Sequence, residues 1–487
     1  MGRDVPHVVI TRDDRRKYRD KVRQCLDALD RLLREFRFDG DRPLAGLEIE
    51  FNLVDAECRA AMRNEEVLAA IAEPGWIAEL GRFNVEVDIP PHSLVGDGAA
   101  RLEELLRVRL NHADDGARTA GTQLVLIGIL PTLRLAEVGE ETLSANPRYR
   151  LLNDQIFAAR GEDLHLDIDG VDHLDVHIDS IAAEAACTSV QLHLQLSPES
   201  FPAHWNTAQA IAGPQLAVAA NSPYLFGREL HRETRIALFE QTTDTRTTEL
   251  KAQGVRPRVW FGERWITSAM ELFEENVRFF PPLLPICDPE DPHDLLSRGE
   301  IPHLPELSLH NGTVYRWNRP IYAVADGIPH LRIENRVLPS GPTIIDVLAN
   351  AAFYYGLMRS LPQADRPIWT QMSFKTAEEN FTNAARHGLD ARLYWPGLGE
   401  VPAAELILRV LLPAAHEGLT LWGVDKDIAD RLLGIIEGRC LTGRTGASWQ
   451  VAKVNSLNTP RPEALHQMTL AYITHMHSNR PVHTWDL

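Results

Sequence analysis

Segment 44–55 alternates like a β-strand and carries Glu48 and Glu50 two residues apart. Because successive side chains on a strand point to opposite faces, both glutamates share one face, and the apolar residues between and beside them share the other. Neighbouring carboxylates on a buried strand repel each other unless a cation lies between them, and oxygen ligands of this kind suit Mg²⁺. On this segment alone, a half-solvated strand with two exposed glutamates is the alternative.

The same spacing of polar residues recurs on three further predicted strands. The pairs and triplets are Glu86 with Asp88 in FNVEVDI, His193 with Gln191 and Gln195 in SVQLHLQL, and Glu334 with Arg332 and Arg336 in HLRIENRV. A single histidine within a strand is usually a hydrogen-bonded structural residue. Four strands that turn polar residues to one side instead predict a sheet with one polar face, able to hold cations. The strand at Glu86 is expected to end at Pro90 and Pro91.

The rest of the pattern predicts an α+β protein. Residues 1–43 form a helical lead-in, because segment 13–37 carries an apolar stripe at helical spacing. Residues 44–487 form a single catalytic domain, with antiparallel strands first and a mostly helical part at 343–487. Within it, segment 163–179 alternates around an Asp-Gly turn and predicts a β-hairpin. Its alternating His and Asp residues could bind a transition metal, but on a hairpin such a pattern is usually the solvated face.

Charge and composition narrow the function classes. The 487 residues carry a formal net charge of −18, which argues against a nucleic-acid binder that tracks phosphates with basic stripes. The five cysteines are dispersed without a CxxC pair, a usage typical of a reduced intracellular protein. We find no signal-peptide pattern at the start and no run of 18 apolar residues. The expectation is a cytoplasmic protein without membrane or nucleic-acid partners, and a homo-oligomer is left open.

A series of motifs resembles the glutamate–cysteine ligases of the second type. In the order of that family they are GLEIEF, NVEVDIPP, NPRYRLLN, CTSVQLHLQ, ANSPYLFGRELHRETR, HNGTVYRWNRP and HLRIENRVLPSGP. Together they span about residues 44–345, and their joint occurrence is far more specific than any single motif. The later segments ENFTNAARHGLDARLY and TGRTGASWQ are closer to the wider carboxylate–amine ligase group. That departure leaves the amine acceptor open.

The resemblance implies a curved antiparallel sheet that forms a funnel, related to the catalytic domains of glutamine synthetase and the guanidino kinases. It also implies ATP as co-substrate and Mg²⁺, with Mn²⁺ as a substitute. The implied metal ligands are Glu48, Glu50, Glu86, Glu334 and His193. In this chemistry ATP phosphorylates a carboxylate, and an amine then attacks the acyl phosphate, so cations and arginines are expected to dominate the site.

The resemblance assigns roles to the arginines as well. Arg336 matches the phosphate-facing arginine of the family, and Arg235 matches the arginine after the ANSP turn, which is expected to bind an anionic substrate group. Further residues for binding ATP or substrate are Gln191, Arg232, Arg246, Arg316, Arg319 and Arg332. For every one of these arginines except Arg336, an ordinary surface ion pair is the alternative.

The predicted function is therefore an ATP- and Mg²⁺-dependent ligase. It would join the γ-carboxylate of glutamate to the amine of cysteine or of another amino compound. The alternative from another class is a catalytically silent relative that binds an amino acid or nucleotide as a regulator. Retention of repelling carboxylates on all the strands favours the enzyme. A phosphotransferase resembling glutamine synthetase or the guanidino kinases is a third hypothesis, against which the Val-Gln strand and the ANSP segment count.

Overall fold

The structure is a computed structural model that describes residues 9–40, 42 and 44–487. Its strands are β1 (Leu44–Val54), β2 (Trp76–Ala78), β3 (Asn84–Ser93), β4 (Gln123–Val125), β5 (Leu164–Asp169), β6 (His173–Ile178), β7 (Ser189–Leu196), β8 (Tyr224–Leu225), β9 (Arg228–Glu229), β10 (Val259–Trp260), β11 (Tyr315–Arg316), β12 (Asn318–Ala325), β13 (Ile328–Pro339), β14 (Arg392–Trp395) and β15 (Gly399–Pro402). Seven of them form one antiparallel sheet in the order β12-β13-β7-β1-β3-β2, with β4 paired to β1.

The helices precede, interrupt and follow these strands. They are α1 (Arg12–Glu35), α2 (Asn64–Ile71), α3 (Gly98–Thr119), α4 (Pro147–Arg160), α5 (Phe201–Ala219), α6 (Thr234–Thr242), α7 (Thr248–Ala252), α8 (Met270–Phe279), α9 (Pro292–Ser297), α10 (Pro305–Asn311), α11 (Ile344–Ser360), α12 (Phe374–His387), α13 (Ala403–Leu406), α14 (Leu412–Leu421), α15 (Lys426–Thr442), α16 (Gly446–Ser456) and α17 (Arg461–Ser478). None of the helices in the described ranges is both long enough and apolar enough to span a membrane.

Strand register brings the polar side chains together. Glu50 lies opposite Glu86, and Glu48 lies between Asp88 on β3 and Gln191 on β7. His193, also on β7, lies opposite Glu334 on β13. Because directly opposed residues in an antiparallel pair point to the same side, these side chains form one continuous polar face across β3, β1, β7 and β13. The predicted α+β class with a curved antiparallel sheet is confirmed.

Two irregularities shape this face. Strand β3 continues through Pro90 and Pro91, so the prediction that it ends there is wrong. The two prolines lie opposite the single residue Gly46, where the register shifts, and a bulge position does not require the backbone donors that prolines lack. A second register shift follows Asn335, and there Arg336 donates its backbone N–H to Trp317 across a distance of 2.8 Å.

The opposite face of the sheet is apolar and is covered by two long helices. Buried residues line both α5 and α11, and α5 is tied to the sheet where Trp205 donates to the carbonyl of Asn318. On α11, the Tyr355 hydroxyl donates to the carbonyls of Gly46 and His193 at 3.1 and 3.0 Å. The helices therefore exclude water from one side of strands whose other side carries the charges.

Elsewhere the layout follows the main predictions of the sequence pattern, with further strands added. The predicted hairpin is present as β5 and β6, and α1 packs against α10, where the Tyr18 hydroxyl donates to the carbonyl of Glu306 at 2.8 Å. The part from 343 onward is helical, as predicted, except for the small hairpin of β14 and β15. That hairpin was missed because its strands are only four residues long, too short for a clear alternation.

We predict that Asp346→Ala lowers the free energy of unfolding by about 3–5 kcal/mol. Asp346 is fully buried, pairs with Arg439 at 2.8 Å and accepts from the backbone N–H of Val482, so its loss leaves a buried guanidinium unpaired. Urea unfolding followed by tryptophan fluorescence measures the change. Glu379→Ala, which breaks an exposed pair with Lys375 on α12, should leave the midpoint unchanged. Equal effects of the two substitutions would contradict the proposed importance of the buried pair.

Candidate active site

A cavity of about 930 Å³ lies over the polar face of the sheet. Strands β1, β3, β7, β12 and β13 form its floor, and side chains from α4, α6, α8 and α10 form its walls. The predicted site residues that line it are Glu48, Glu50, Glu86, Gln191, Arg235, Arg319, Arg332, Glu334 and Arg336. The sheet register therefore gathers into one cavity residues that are almost 300 positions apart in sequence.

At one end of the floor, positive charges surround Glu334. Its carboxylate accepts from Arg319 and Arg336, each at 2.7 Å. Burial disfavours the ionised carboxylate, but the two guanidinium groups outweigh burial and hold the pKa of Glu334 well below its ordinary value. Arg336 also donates to the Gln191 side-chain oxygen. This end of the cavity therefore combines a firmly ionised carboxylate with two fixed guanidinium groups.

Between the two ends lies the contact of Glu48 with His193, at 3.0 Å from Oε1 to Nε2. Arg332 donates from Nε to the other ring nitrogen of His193 at 3.1 Å, so that nitrogen is an acceptor and the ring proton faces Glu48. Burial opposes ionisation of Glu48, yet the hydrogen bond from His193 lowers the pKa of Glu48 to about 2. His193 lies behind Glu48 and orients it.

The other end of the floor is strongly acidic. Glu50 accepts from the backbone N–H and hydroxyl of Ser189 and from Gln191. Even so, burial and then the charge of Glu79 raise the pKa of Glu50 from 4.5 to about 7. Burial and the charges of Glu79, Glu48 and Glu50 raise the pKa of Glu86 well above its ordinary value. These carboxylates are held together although they repel, which is the electrostatic signature of a cation site.

The acidic side chains of the floor form groups that fit divalent cations. Three groups of ligand atoms each lie within 4.8 Å of one another: Glu48, His193 and Glu334; Glu48, Glu86 and Asp88; and Glu50, Glu79 and Glu86. Within the described residues, Glu86 Oε1 and both carboxylate oxygens of Asp88 are buried and have no hydrogen-bond partner. Oxygen-rich groups with orphaned carboxylate oxygens fit Mg²⁺ or Mn²⁺. The residues present therefore suit the metal that the sequence predicts.

Three predicted site residues lie away from the cavity. Arg232 pairs with Glu229 at 3.2 Å, and Arg246 pairs with Asp244 at 2.8 Å near α7. Arg316 is fully buried, donates to Glu275 at 2.9 Å and lies over the ring of Trp260. These side chains are committed to local ion pairs, and the fold does not bring them together with the carboxylates.

Arg235 reaches the cavity wall, but its donors are already engaged. It pairs with Glu233 at 3.1 Å and donates to the backbone carbonyls of Arg336 and Val337 on β13. Its guanidinium also lies over the ring of Trp317, 5.9 Å from the ring centroid. Arg235 therefore connects α6 to the backbone of β13 at the position of Arg336.

The structure adds acidic residues that the sequence reasoning did not assign to the site. Glu79 follows β2, whose three residues are too few to reveal an alternation. The sequence pattern places Asp88 on the same face as Glu86 but does not identify it as a ligand. Glu184 lines the cavity from a short 3₁₀ helix, where the one available signal was a single glutamate within a run of alanines.

The hairpin of β5 and β6 lies outside the cavity. Its polar side chains are exposed, and His165 pairs with Asp175 at 2.8 Å while its ring stacks on that of His177. Ligand atoms of these three residues lie within 4.8 Å of one another. The pairs fit a solvated face with mutually satisfied histidines and aspartates, and the hairpin has no part in the carboxylate site.

The sequence profile of glutamate–cysteine ligase family 2 matches residues 44–468, and the chain belongs to this family. A protein of Rubrobacter xylanophilus named as a candidate glutamate–cysteine ligase 2-3 is 27% identical over 394 residues, 79% of this chain and 87% of that protein. The family prediction is confirmed, as is the prediction of a ligase at the level of the family.

Two solved structures resemble the chain at low sequence identity. The crystal structure of glutamate–cysteine ligase from Francisella tularensis in complex with AMP has a TM-score of 0.52 at 10% identity, covering 91% of this chain and 90% of that chain. A bifunctional glutathione synthetase from Pasteurella multocida has a TM-score of 0.47 at 11% identity, covering 93% of this chain and 55% of that chain. The first of these likenesses shows that the fold is shared.

We predict that Mg²⁺ or Mn²⁺ stabilises the wild-type protein, because cations neutralise carboxylates that repel in the folded state. At a hundredfold excess over its dissociation constant, a ligand specific for the folded state adds about 2.7 kcal/mol. Glu86→Gln should raise the melting temperature of the metal-free protein, since it removes one repelling charge, and should remove most of the increment produced by Mg²⁺. Scanning calorimetry with and without the cation measures both effects.

The matched control is Glu274→Gln on α8, an exposed glutamate outside the cavity lining. Glu274→Gln should keep the full increase in melting temperature that Mg²⁺ produces in the wild type. If Glu86→Gln responded to Mg²⁺ as strongly as the wild type does, Glu86 would not be a ligand.

Proposed function

We propose that the chain is an ATP- and Mg²⁺-dependent carboxylate–amine ligase. Its donor would be glutamate, activated at the γ-carboxylate, and its acceptor the amine of cysteine or of another amino compound. The observation that carries the proposal is the division of one cavity floor into an acidic end and an arginine-rich end. Membership of glutamate–cysteine ligase family 2 supports it.

The acidic end would hold the metal ions. Glu48, Glu50, Glu79, Glu86 and Asp88 supply the oxygen ligands there, and their shared charge needs cations to offset it. When bound, such ions neutralise the phosphates of ATP and draw charge away from the phosphoryl group that is transferred. His193 and Arg332 fix the orientation of Glu48, and the Ser189 hydroxyl and backbone N–H fix that of Glu50.

The arginine-rich end would act on the phosphoryl group. Arg336 and Arg319 hold their guanidinium groups in place through Glu334, so no reorganisation is needed when negative charge develops on the group being transferred. The γ-carboxylate of the donor attacks the terminal phosphorus, and ADP leaves. The amine then attacks the acyl carbon and expels phosphate, which completes the amide bond. Neither step requires a nucleophilic side chain.

The enzyme is distinguished from a silent relative by its products. We expect ADP, phosphate and a γ-glutamyl amide from ATP, Mg²⁺, glutamate and a pool of amines, resolved by mass spectrometry. A chelator in excess should abolish turnover. ATP consumption that continues undiminished in the chelator would overturn the metal requirement, and binding of nucleotide or amino acid without turnover would support the regulatory alternative.

We predict that lysine at Arg336 chiefly lowers turnover and that lysine at Arg235 chiefly lowers stability. Arg336→Lys should lower kcat by about a hundredfold or more, with a smaller change in the KM for ATP, because the planar fork of Arg336 acts mainly in the transition state. Arg235→Lys should lower the free energy of unfolding by about 2 kcal/mol or more, since the guanidinium of Arg235 joins Glu233, which precedes α6, to two backbone carbonyls of β13. Steady-state kinetics and urea unfolding of both variants separate the effects.

The sequence interpretation of Arg235 as a substrate-binding residue gives a different outcome. In that case Arg235→Lys would raise the KM for glutamate while stability stayed at the wild-type value. A change in Arg336→Lys confined to KM, with kcat preserved, would refute the phosphoryl-stabilising role of Arg336.

A further inference from the structure

One wall of the cavity carries a carboxylate that the metal and phosphate chemistry does not use. Glu184 lies in the 3₁₀ helix Ile181–Ala186, whose alanines are buried and whose first residue is anchored by Asn153 at 3.0 Å. Its side chain lines the cavity and is half-buried. Among the described residues it has no hydrogen-bond or ion-pair partner. Burial, followed by the charges of Glu79 and Glu50, raises the pKa of Glu184 to about 8.

Aromatic rings flank this carboxylate. Tyr149, Phe239, Tyr315 and Trp317 all line the same cavity, and the ring of Phe239 lies 5.1 Å from that of Tyr315 and 5.7 Å from that of Trp317. Helix α6, which carries Phe239, packs against the 3₁₀ helix that carries Glu184. The wall thus combines one unpaired carboxyl group with an apolar aromatic surface.

We propose that Glu184 binds the amino group of the acceptor and that the aromatic wall receives its apolar body. The proposal rests on the ligase function proposed above and names its acceptor class: a primary amine with an apolar body, with or without an α-carboxylate. An ammonium group satisfies an unpaired carboxylate in a low-dielectric wall, and aromatic faces attract cations and apolar groups alike.

The same wall disfavours acidic acceptors. Glu184 shares the cavity with Glu79 and Glu50, so a second carboxylate on the acceptor's side chain would meet repulsion from these acidic groups. Arg148 also lines this wall, which suits an α-carboxylate next to the amino group. Selectivity is therefore expected against aspartate and in favour of phenylalanine or its decarboxylated analogue, phenethylamine.

Equilibrium binding to the full chain tests the proposal without requiring turnover. Phenethylamine, phenylalanine and aspartate are titrated into wild type and Glu184→Gln, with binding measured by isothermal titration calorimetry. We expect Glu184→Gln to weaken binding of phenethylamine and phenylalanine by about tenfold to a hundredfold, and aspartate to bind weakly to both proteins. Glu274→Gln is the matched control, and thermal unfolding confirms that Glu184→Gln is folded.

The kinetic counterpart is a raised KM for the amine in Glu184→Gln, with the KM values for ATP and glutamate within twofold of the wild type. Unchanged amine affinity in Glu184→Gln, or aspartate binding as tight as phenethylamine, would overturn the proposal. Failure of the ligase function has a different result, since amines would then bind through Glu184 while no γ-glutamyl amide formed with any of them.

Discussion

Mutual repulsion of carboxylates on one face of a sheet is the constraint on which the structure depends. Glu50 and Glu86 are directly opposed across β1 and β3, and Glu79 adds a third charge from the end of β2. Such an arrangement persists because the opposite, apolar face of the sheet is buried against α5 and α11. The favourable free energy of burying this apolar surface exceeds the free energy that the repelling charges cost. The hydrophobic layer thus holds together carboxylates whose mutual repulsion a bound cation would reduce.

The same floor contains two electrostatic environments within a few residues. Glu334 stays ionised because Arg319 and Arg336 flank it, whereas burial and the like charges of its neighbours resist the ionisation of Glu86. A gradient of this kind suits a substrate such as ATP, whose phosphates carry negative charge that metal ions offset on one side and guanidinium groups offset on the other. Position within the sheet, more than residue type, decides the role of each carboxylate.

The arginines illustrate how the fold separates side chains that face the cavity from side chains that stabilise the surrounding structure. The guanidinium of Arg336 lines the cavity. The guanidinium of Arg235 instead donates to Glu233 and to the backbone carbonyl of Arg336. Arg316 and Arg439 are almost completely buried in ion pairs and connect helices to neighbouring segments. These residues look alike in the sequence, because neither the burial of a guanidinium nor its contacts with other elements can be read from the residues beside it.

The sequence alone determined the α+β class, the family and most of the cavity floor. Period-two alternation assigns Glu48 with Glu50, and Glu334 with Arg336, to a common face, since side-chain direction on a strand is a local property. Only the tertiary structure decided which distant groups meet them. Glu79 follows a strand too short to alternate, Glu184 lies outside any strand, and Arg232 and Arg246 are drawn into local ion pairs. Proximity across the fold is set by sheet register and helix packing, which no local pattern of residues records.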